Sequence, residues 1–387
     1  MKSSSDAVAA PSCTRMCQVD ALRIFSMLLV CLLHAGGIFE GLSMAENPVD
    51  KALVVILVSF ADVAVNCFMM ITGYVSWGKE WKLRRYVNLW AQVTFYTIGF
   101  AILTSCIHMA IHGGTGMTWS QLRSLFLPVP FASAYWYFTG YTVVFLLAPA
   151  MALLQKHSSQ RQMLAIIIVC FVIISIFASM YTGMKWGFSS LWLCTMYMAG
   201  SYLRQYPVRI SNKRCWICVI AGTCITAFGL CLSVWLRRHG ISALYESFNY
   251  ASAILTIQSI MIVVLFTRMR IQNPGVCKII GILNPLAFGV YLVHLHPCVR
   301  PYFHDAAVYF HSMFEYKFIS VILVAVAIYI VCSLIDGGRL LLFRLMHVRV
   351  WCDKSGDRIT TCFGAVLSRL LGVHGGAGNA SRPHGSS

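Results

Sequence analysis

"RIFSMLLVCLLH", residues 23–34, opens on an arginine, closes on a histidine and is apolar in nearly every position between. At about 100° and 1.5 Å per residue, eleven positions return a helix to within about 20° of the same face and about 16 Å further along its axis. Two polar groups so placed on a membrane helix address one interior space at two depths. The rest of the chain decides that it is a membrane helix. Of 387 residues, 58% are hydrophobic and 11% charged, the mean hydropathy is +0.72, and apolar runs of spanning length recur from end to end.

The predicted fold is all-α, a polytopic membrane bundle of about ten helices, because lipid offers open backbone groups no hydrogen-bond partner. The runs fall at 20–39, 51–77, 86–111, 134–155, 162–182, 189–203, 215–236, 248–267, 279–297 and 317–345. They divide the chain into an N-terminal tail (1–19), a membrane domain (20–345) and a basic, largely disordered tail (346–387). The polar first 19 residues and the arginine inside the next run argue for an uncleaved anchor rather than a signal peptide.

Charge orients the bundle. With both termini cytoplasmic, 23 of the 30 Lys and Arg residues fall on the inside, leaving Lys51, Arg123, Lys185, Arg237, Arg238, Arg300 and Lys317 outside. That is the positive-inside bias of a plasma or inner membrane protein. The net charge of +17 is therefore a topology signal split among short loops, and no nucleic-acid partner is expected. Most of the 16 cysteines lie within or beside apolar runs, where Cys packs as a small hydrophobe. No CxxC pair has metal-site spacing, so no metal is expected.

Polar groups inside membrane spans are costly and commonly functional. Arg23 lies near the cytoplasmic end of its run, where the plain alternative is an arginine whose head reaches the interface. His34 lies too deep for a short imidazole to do the same. A histidine at that depth suits proton transfer near neutral pH. Asp62 and Asn66 stand one helical turn apart in the second run, where either could orient the imidazole or line an acceptor site. "KEWKLRRYVN" (79–88) brings Lys82, Arg84 and Arg85 to the start of the third run, where a helix N-terminus favours phosphate; an ordinary cytoplasmic loop would look the same. Trp136, Tyr291 and His294 lie toward the outer side, where interfacial aromatic residues are also common. Asp336 and Arg339, three apart, suit a structural ion pair.

"VDALRIFSMLLVCLLHAGG" (19–37) resembles the first helix of the acyltransferase 3 family of membrane acyltransferases, in which an arginine and a histidine are separated by ten residues. "VNCFMMITGYV" (65–75), "YWYFTGYTVVFLLAP" (135–149), "MYMAGSYLR" (196–204) and "FGVYLVH" (288–294) resemble further family patterns in the same order. The resemblance implies an O-acyltransferase that moves an acyl group, usually acetyl from cytoplasmic acetyl-CoA as co-substrate, onto a hydroxyl of a cell-surface or exported glycan. It implies a catalytic His34 assisted by Arg23, with Asn66 nearby; Asp62 is a candidate from its place in the second run and not from the resemblance. Acyl-CoA would be held by Arg23, Lys82, Arg84 and Arg85, and the glycan by Trp136, Tyr291 and His294. Two positions depart from the pattern: Asn66 stands where many members carry Asp, and Asn88 where a second arginine is common. A secondary transporter of a polar or sugar-like solute is the competing expectation, although no internal repeat supports it.

Overall fold

The computed structural model describes residues 16–113, 135–177, 187–239 and 249–370. Arg123 and Lys185, most of the N-terminal tail and the end of the C-terminal tail lie outside the described residues. Among the described residues each expected apolar run falls largely on helix, and no strand occurs. The helices are α1 (Cys17–Gly36), α2 (Pro48–Ala61), α3 (Ala64–Ser76), α4 (Leu83–His112), α5 (Trp136–His157), α6 (Gln160–Phe177) and α7 (Ser190–Gln205). They continue with α8 (Asn212–Arg238), α9 (Ala253–Arg268), α10 (Pro274–Leu283), α11 (Ala287–His294), α12 (Arg300–Ser312), α13 (Lys317–Leu345) and α14 (Val348–Leu370). Among them are seven apolar stretches long enough to cross a bilayer, with two shorter apolar helices at Gln160–Ile176 and Ala253–Arg268.

Two expected spans are broken rather than straight. Residues 48–76 divide into α2 and α3 at Asp62 and Val63, where the Val63 carbonyl also accepts the Ser259 hydroxyl at 3.5 Å. Residues 274–294 divide into α10 and α11 through a 3₁₀ turn at Asn284–Leu286. Pro285 lies within that turn; it lacks an N–H and its ring opposes a continuous α-helix. The helix starts are written locally. Asn47 and Asn273 each precede a proline and cap the helix that follows, accepting from Val49 N at 2.9 Å and Gly275 N at 2.9 Å.

α1 is the central helix and touches α2, α3, α9, α10, α11 and α13, so both of its polar ends are surrounded by protein. The tightest crossing is that of α3 with α7. A Cβ on Gly73 would stand 1.9 Å from the Tyr197 carbonyl oxygen, and one on Gly200 would stand 2.0 Å from that of Met70. Only glycine lets these backbones approach so closely, as small residues do at helix contacts in membranes. Asp50, buried near the start of α2, accepts from Lys317 N at 2.7 Å and Phe318 N at 2.8 Å and so caps α13.

The C-terminal tail departs from the expected disorder. Residues Val348–Leu370 form α14, packed along α4. Gly356 sits against the Arg84 backbone, Asn88 donates to Asp353 Oδ1 at 2.8 Å, and Arg84 lies 3.8 Å from Asp357. A polar, Gly-containing sequence gave little sign of a helix, because its order comes from these partners on α4.

Candidate active site

α1 and α11, 260 residues apart in the chain, bring two histidines together: His34 Nδ1 lies 2.8 Å from His294 Nε2. The other nitrogen of His294, Nδ1, lies 2.5 Å from the Val290 carbonyl oxygen one turn earlier. A carbonyl can only accept, so His294 Nδ1 carries the proton. In a neutral imidazole the second nitrogen is then an acceptor, and Nε2 takes the Nδ1–H of His34. His34 is left with its lone pair on Nε2. The tautomer of the expected base is thus assigned by a carbonyl through a second ring. His294 is fully buried, whereas His34 keeps part of its surface accessible. The field of Arg300, at the start of α12, also reaches His34.

His294 was expected among the residues that meet a glycan at the outer side, and the fold makes it a hydrogen-bond partner of His34 instead. Its own turn is held by Tyr135, whose hydroxyl donates to the Leu292 carbonyl at 2.7 Å. Tyr291 is buried in an aromatic cluster, its ring centroid 5.7 Å from Tyr135 and 6.2 Å from Tyr137.

Arg23, less than two turns from the other end of α1, donates to Asn284 Oδ1 at 3.0 Å and lies 3.6 Å from Asp20. Asn284 is available because Pro285 breaks the span there. The basic loop divides into separate roles. Lys82 pairs with Glu80 at 2.9 Å, Arg84 turns to Asp357 on α14, and Arg85 has no acidic partner among the described residues. The fields of Arg23 and Arg85 both reach the Tyr141 phenol on α5, and that of Arg23 also reaches Tyr137. Arg23 and Arg85 therefore both lie near Tyr141.

Arg85 also lines a cavity of about 860 Å³ at this basic end, walled by α4, α10, α13 and α14. Arg339, Arg344, His347 and Arg349 line it too. The last three were missed in the sequence because a basic stretch after a last span carries the same signal as the positive-inside rule.

Asp62 and Asn66 separate from the histidine pair. Asn66 donates to the Tyr250 carbonyl at 2.9 Å and accepts from Trp192 Nε1 at 2.9 Å, which engages both ends of its amide in packing. Asp62, at the break between α2 and α3, lines a different cavity of about 630 Å³ with Val58, Phe188, Trp235, Asn249 and Tyr250. Trp136 adjoins that cavity, its ring 4.6 Å from Phe188 and 6.4 Å from Tyr250. Val58, on the cavity wall, packs against Gly36 of α1. Among the described residues no group of three or more His, Cys, Asp or Glu side chains forms a metal-binding cluster. The expected ion pair of Asp336 and Arg339 is bidentate, at 2.9 and 2.8 Å.

A family model described as an acyltransferase domain, Acyl_transf_3, matches residues 18–336, which runs from the first turn of α1 to Asp336. Neither the curated proteins nor the solved structures include a significant match. Residues 337–370, with the basic end of α13 and all of α14, lie beyond the family match.

Proposed function

The chain belongs to the acyltransferase 3 family and is a membrane acyltransferase, and from that premise we propose that it moves an acyl group, acetyl in the simplest case, from acyl-CoA to a glycan hydroxyl. The observation that carries the reading is the hydrogen bond between His34 Nδ1 and His294 Nε2. It leaves His34 Nε2 as a base with a fixed orientation, the arrangement required for proton transfer from an acceptor hydroxyl.

The step balances with one base. His34 Nε2 takes the hydroxyl proton as the acceptor oxygen attacks the thioester carbonyl. The tetrahedral intermediate collapses, the carbon–sulfur bond breaks, and the CoA thiolate recovers the proton from the imidazolium. His294 holds the ring through both stages and contacts neither reactant. An acyl-histidine intermediate would need the same free Nε2 as a nucleophile.

The donor approaches from the basic end, which positive charge assigns to the cytoplasm. Arg23 and Arg85, both near Tyr141, attract its phosphates, and the pantetheine arm follows α1 for about 16 Å to His34. The acceptor enters from the opposite end. The aromatic rings of Trp136, Phe188 and Tyr250 together with the Asp62 carboxylate supply the mixture of flat apolar faces and hydrogen-bond acceptors that a sugar ring requires. The two broken spans are a feature of transporters, but the family match assigns the chemistry to acyl transfer.

The test is single-turnover transfer from labelled acetyl-CoA to membranes carrying the glycan, with His34→Ala beside the wild type. Loss of label in the variant with acyl-CoA binding retained supports the reading. Transfer by the variant at the wild-type rate would remove His34 from the mechanism.

A further inference from the structure

The cavity at the basic end carries cations beyond Arg85, the only one of them that the acyl-transfer reading uses. Its cationic lining is Arg85, Arg339, Arg344 and Arg349, with His347 beside them, and no Asp or Glu side chain lines it. Arg339 is neutralised by Asp336 at 2.8 Å. Arg344 has no acidic partner among the described residues, and Arg349 has only Asp353 at 3.9 Å. The corner that presents them is tight: His347 has φ of 53°, the left-handed region that a non-glycine residue rarely adopts. It joins α13 to α14 and turns Arg344, His347 and Arg349 toward one mouth.

One side of the same cavity is apolar, while Gln92 and the Asp336-paired Arg339 close its inner end. Leu340, Leu341, Ile282, Pro285 and Leu286 line it, and Leu341 and Ile282 are 58% and 59% exposed on the outside of the bundle. From His347 to Gly337 along α13 is about 15 Å. The headgroup layer on one side of a bilayer accounts for roughly 5–8 Å of that depth and hydrocarbon for the rest. The charge gradient therefore follows that of a phospholipid, with cations at headgroup depth and an apolar side open to acyl chains.

We propose that this cavity binds the headgroup of an anionic phospholipid, with its phosphate between Arg344 and Arg349 and its chains along Ile282 and Leu341. Basic pockets between membrane helices on the cytoplasmic side recognise lipid phosphates in this way. Arg344 and Arg349 lie beyond the family match, so the site belongs to this chain's own C-terminal corner. A soluble phosphate compound such as CoA offers the same phosphate chemistry without the chains, and the experiment separates the two.

The full chain is purified in detergent, exchanged into mixed micelles of equal phosphatidylglycerol and phosphatidylcholine, and the retained lipid is counted by native mass spectrometry. Phosphatidylglycerol should be preferred, with the preference falling about fivefold in Arg344→Gln and again in Arg349→Gln, from the energy of one cation near a lipid phosphate. Arg344→Lys should keep most of the preference, which separates loss of charge from loss of fold. Lys354→Gln and Arg358→Gln change the same charge on α14 outside the cavity and should have no effect. An equal loss in these two controls would assign the preference to diffuse surface charge and overturn the site. So would a wild type indifferent to headgroup, or one in which CoA displaces phosphatidylglycerol one for one. None of these outcomes touches His34, so the acyl-transfer reading stands or falls separately.

Discussion

A Cβ placed on Gly289 would stand 2.0 Å from the carboxyl carbon of Asp336. That carboxylate cannot retreat. Its Oδ1 accepts from Tyr96 at 2.7 Å, Gln92 at 3.1 Å and Arg339 at 2.9 Å, and its Oδ2 accepts from Arg339 at 2.8 Å. α4, α11 and α13 thus meet at one buried charge, and α11 carries His294.

Gly289→Ala is expected to destabilise the bundle by about 1–3 kcal/mol through overpacking. Asp336→Asn, which leaves the Arg339 charge buried without its counterion, should lose about 3–5 kcal/mol. Thermal unfolding of the purified protein, followed by size-exclusion fluorescence, measures both. A Gly289→Ala protein as stable as the wild type would show that the contact yields easily.

His34→Ala should fold, insert and lose at least about 10² in acyl transfer, the scale of general-base catalysis. His294→Ala should lower kcat while the acyl-CoA KM stays near its wild-type value, because it holds the base rather than the donor. The double variant should be no slower than His34→Ala alone, as expected for groups acting as a unit. Additive losses would mean that His294 acts independently of His34.

Neutralising Arg23 or Arg85 should raise the acyl-CoA KM with little change in kcat, more at low ionic strength, where phosphate attraction is least screened. Arg84→Gln should have a smaller effect, since Arg84 already faces Asp357 on α14. Steady-state kinetics at two salt concentrations separates the three. An Arg84 variant as impaired as the other two would return the donor site to the whole basic loop.

Asp62→Asn should raise the KM for the glycan acceptor and leave acyl-CoA binding unchanged, because Asp62 lines a cavity with Phe188 and Tyr250 and not the one that Arg85 lines. Binding of CoA by the variant at wild-type affinity, together with weakened transfer, is the expected pair of results. Weakened CoA binding would instead join the two cavities.

The sequence by itself determined that the chain is a helical membrane bundle, because the length of an apolar run and the exclusion of open backbone from lipid are local constraints. It also determined that Arg23 and His34 share a helix face, since eleven residues fix an angle and a rise. Only the tertiary structure decided what each polar group meets. Arg23 finds Asn284 and His34 finds His294 across about 260 residues, and no local spacing encodes which helices cross or at what depth. Asp62 and Asn66, one turn apart, face different partners because the helix breaks between α2 and α3. The basic residues near the start of α4 and the end of α13 looked alike as charge, yet the packing of α14 sends Arg84 to an acid and leaves Arg85 and Arg344 in a cavity. Charge, length and periodicity are properties of a segment; pairing, burial and tautomer belong to the contact between segments.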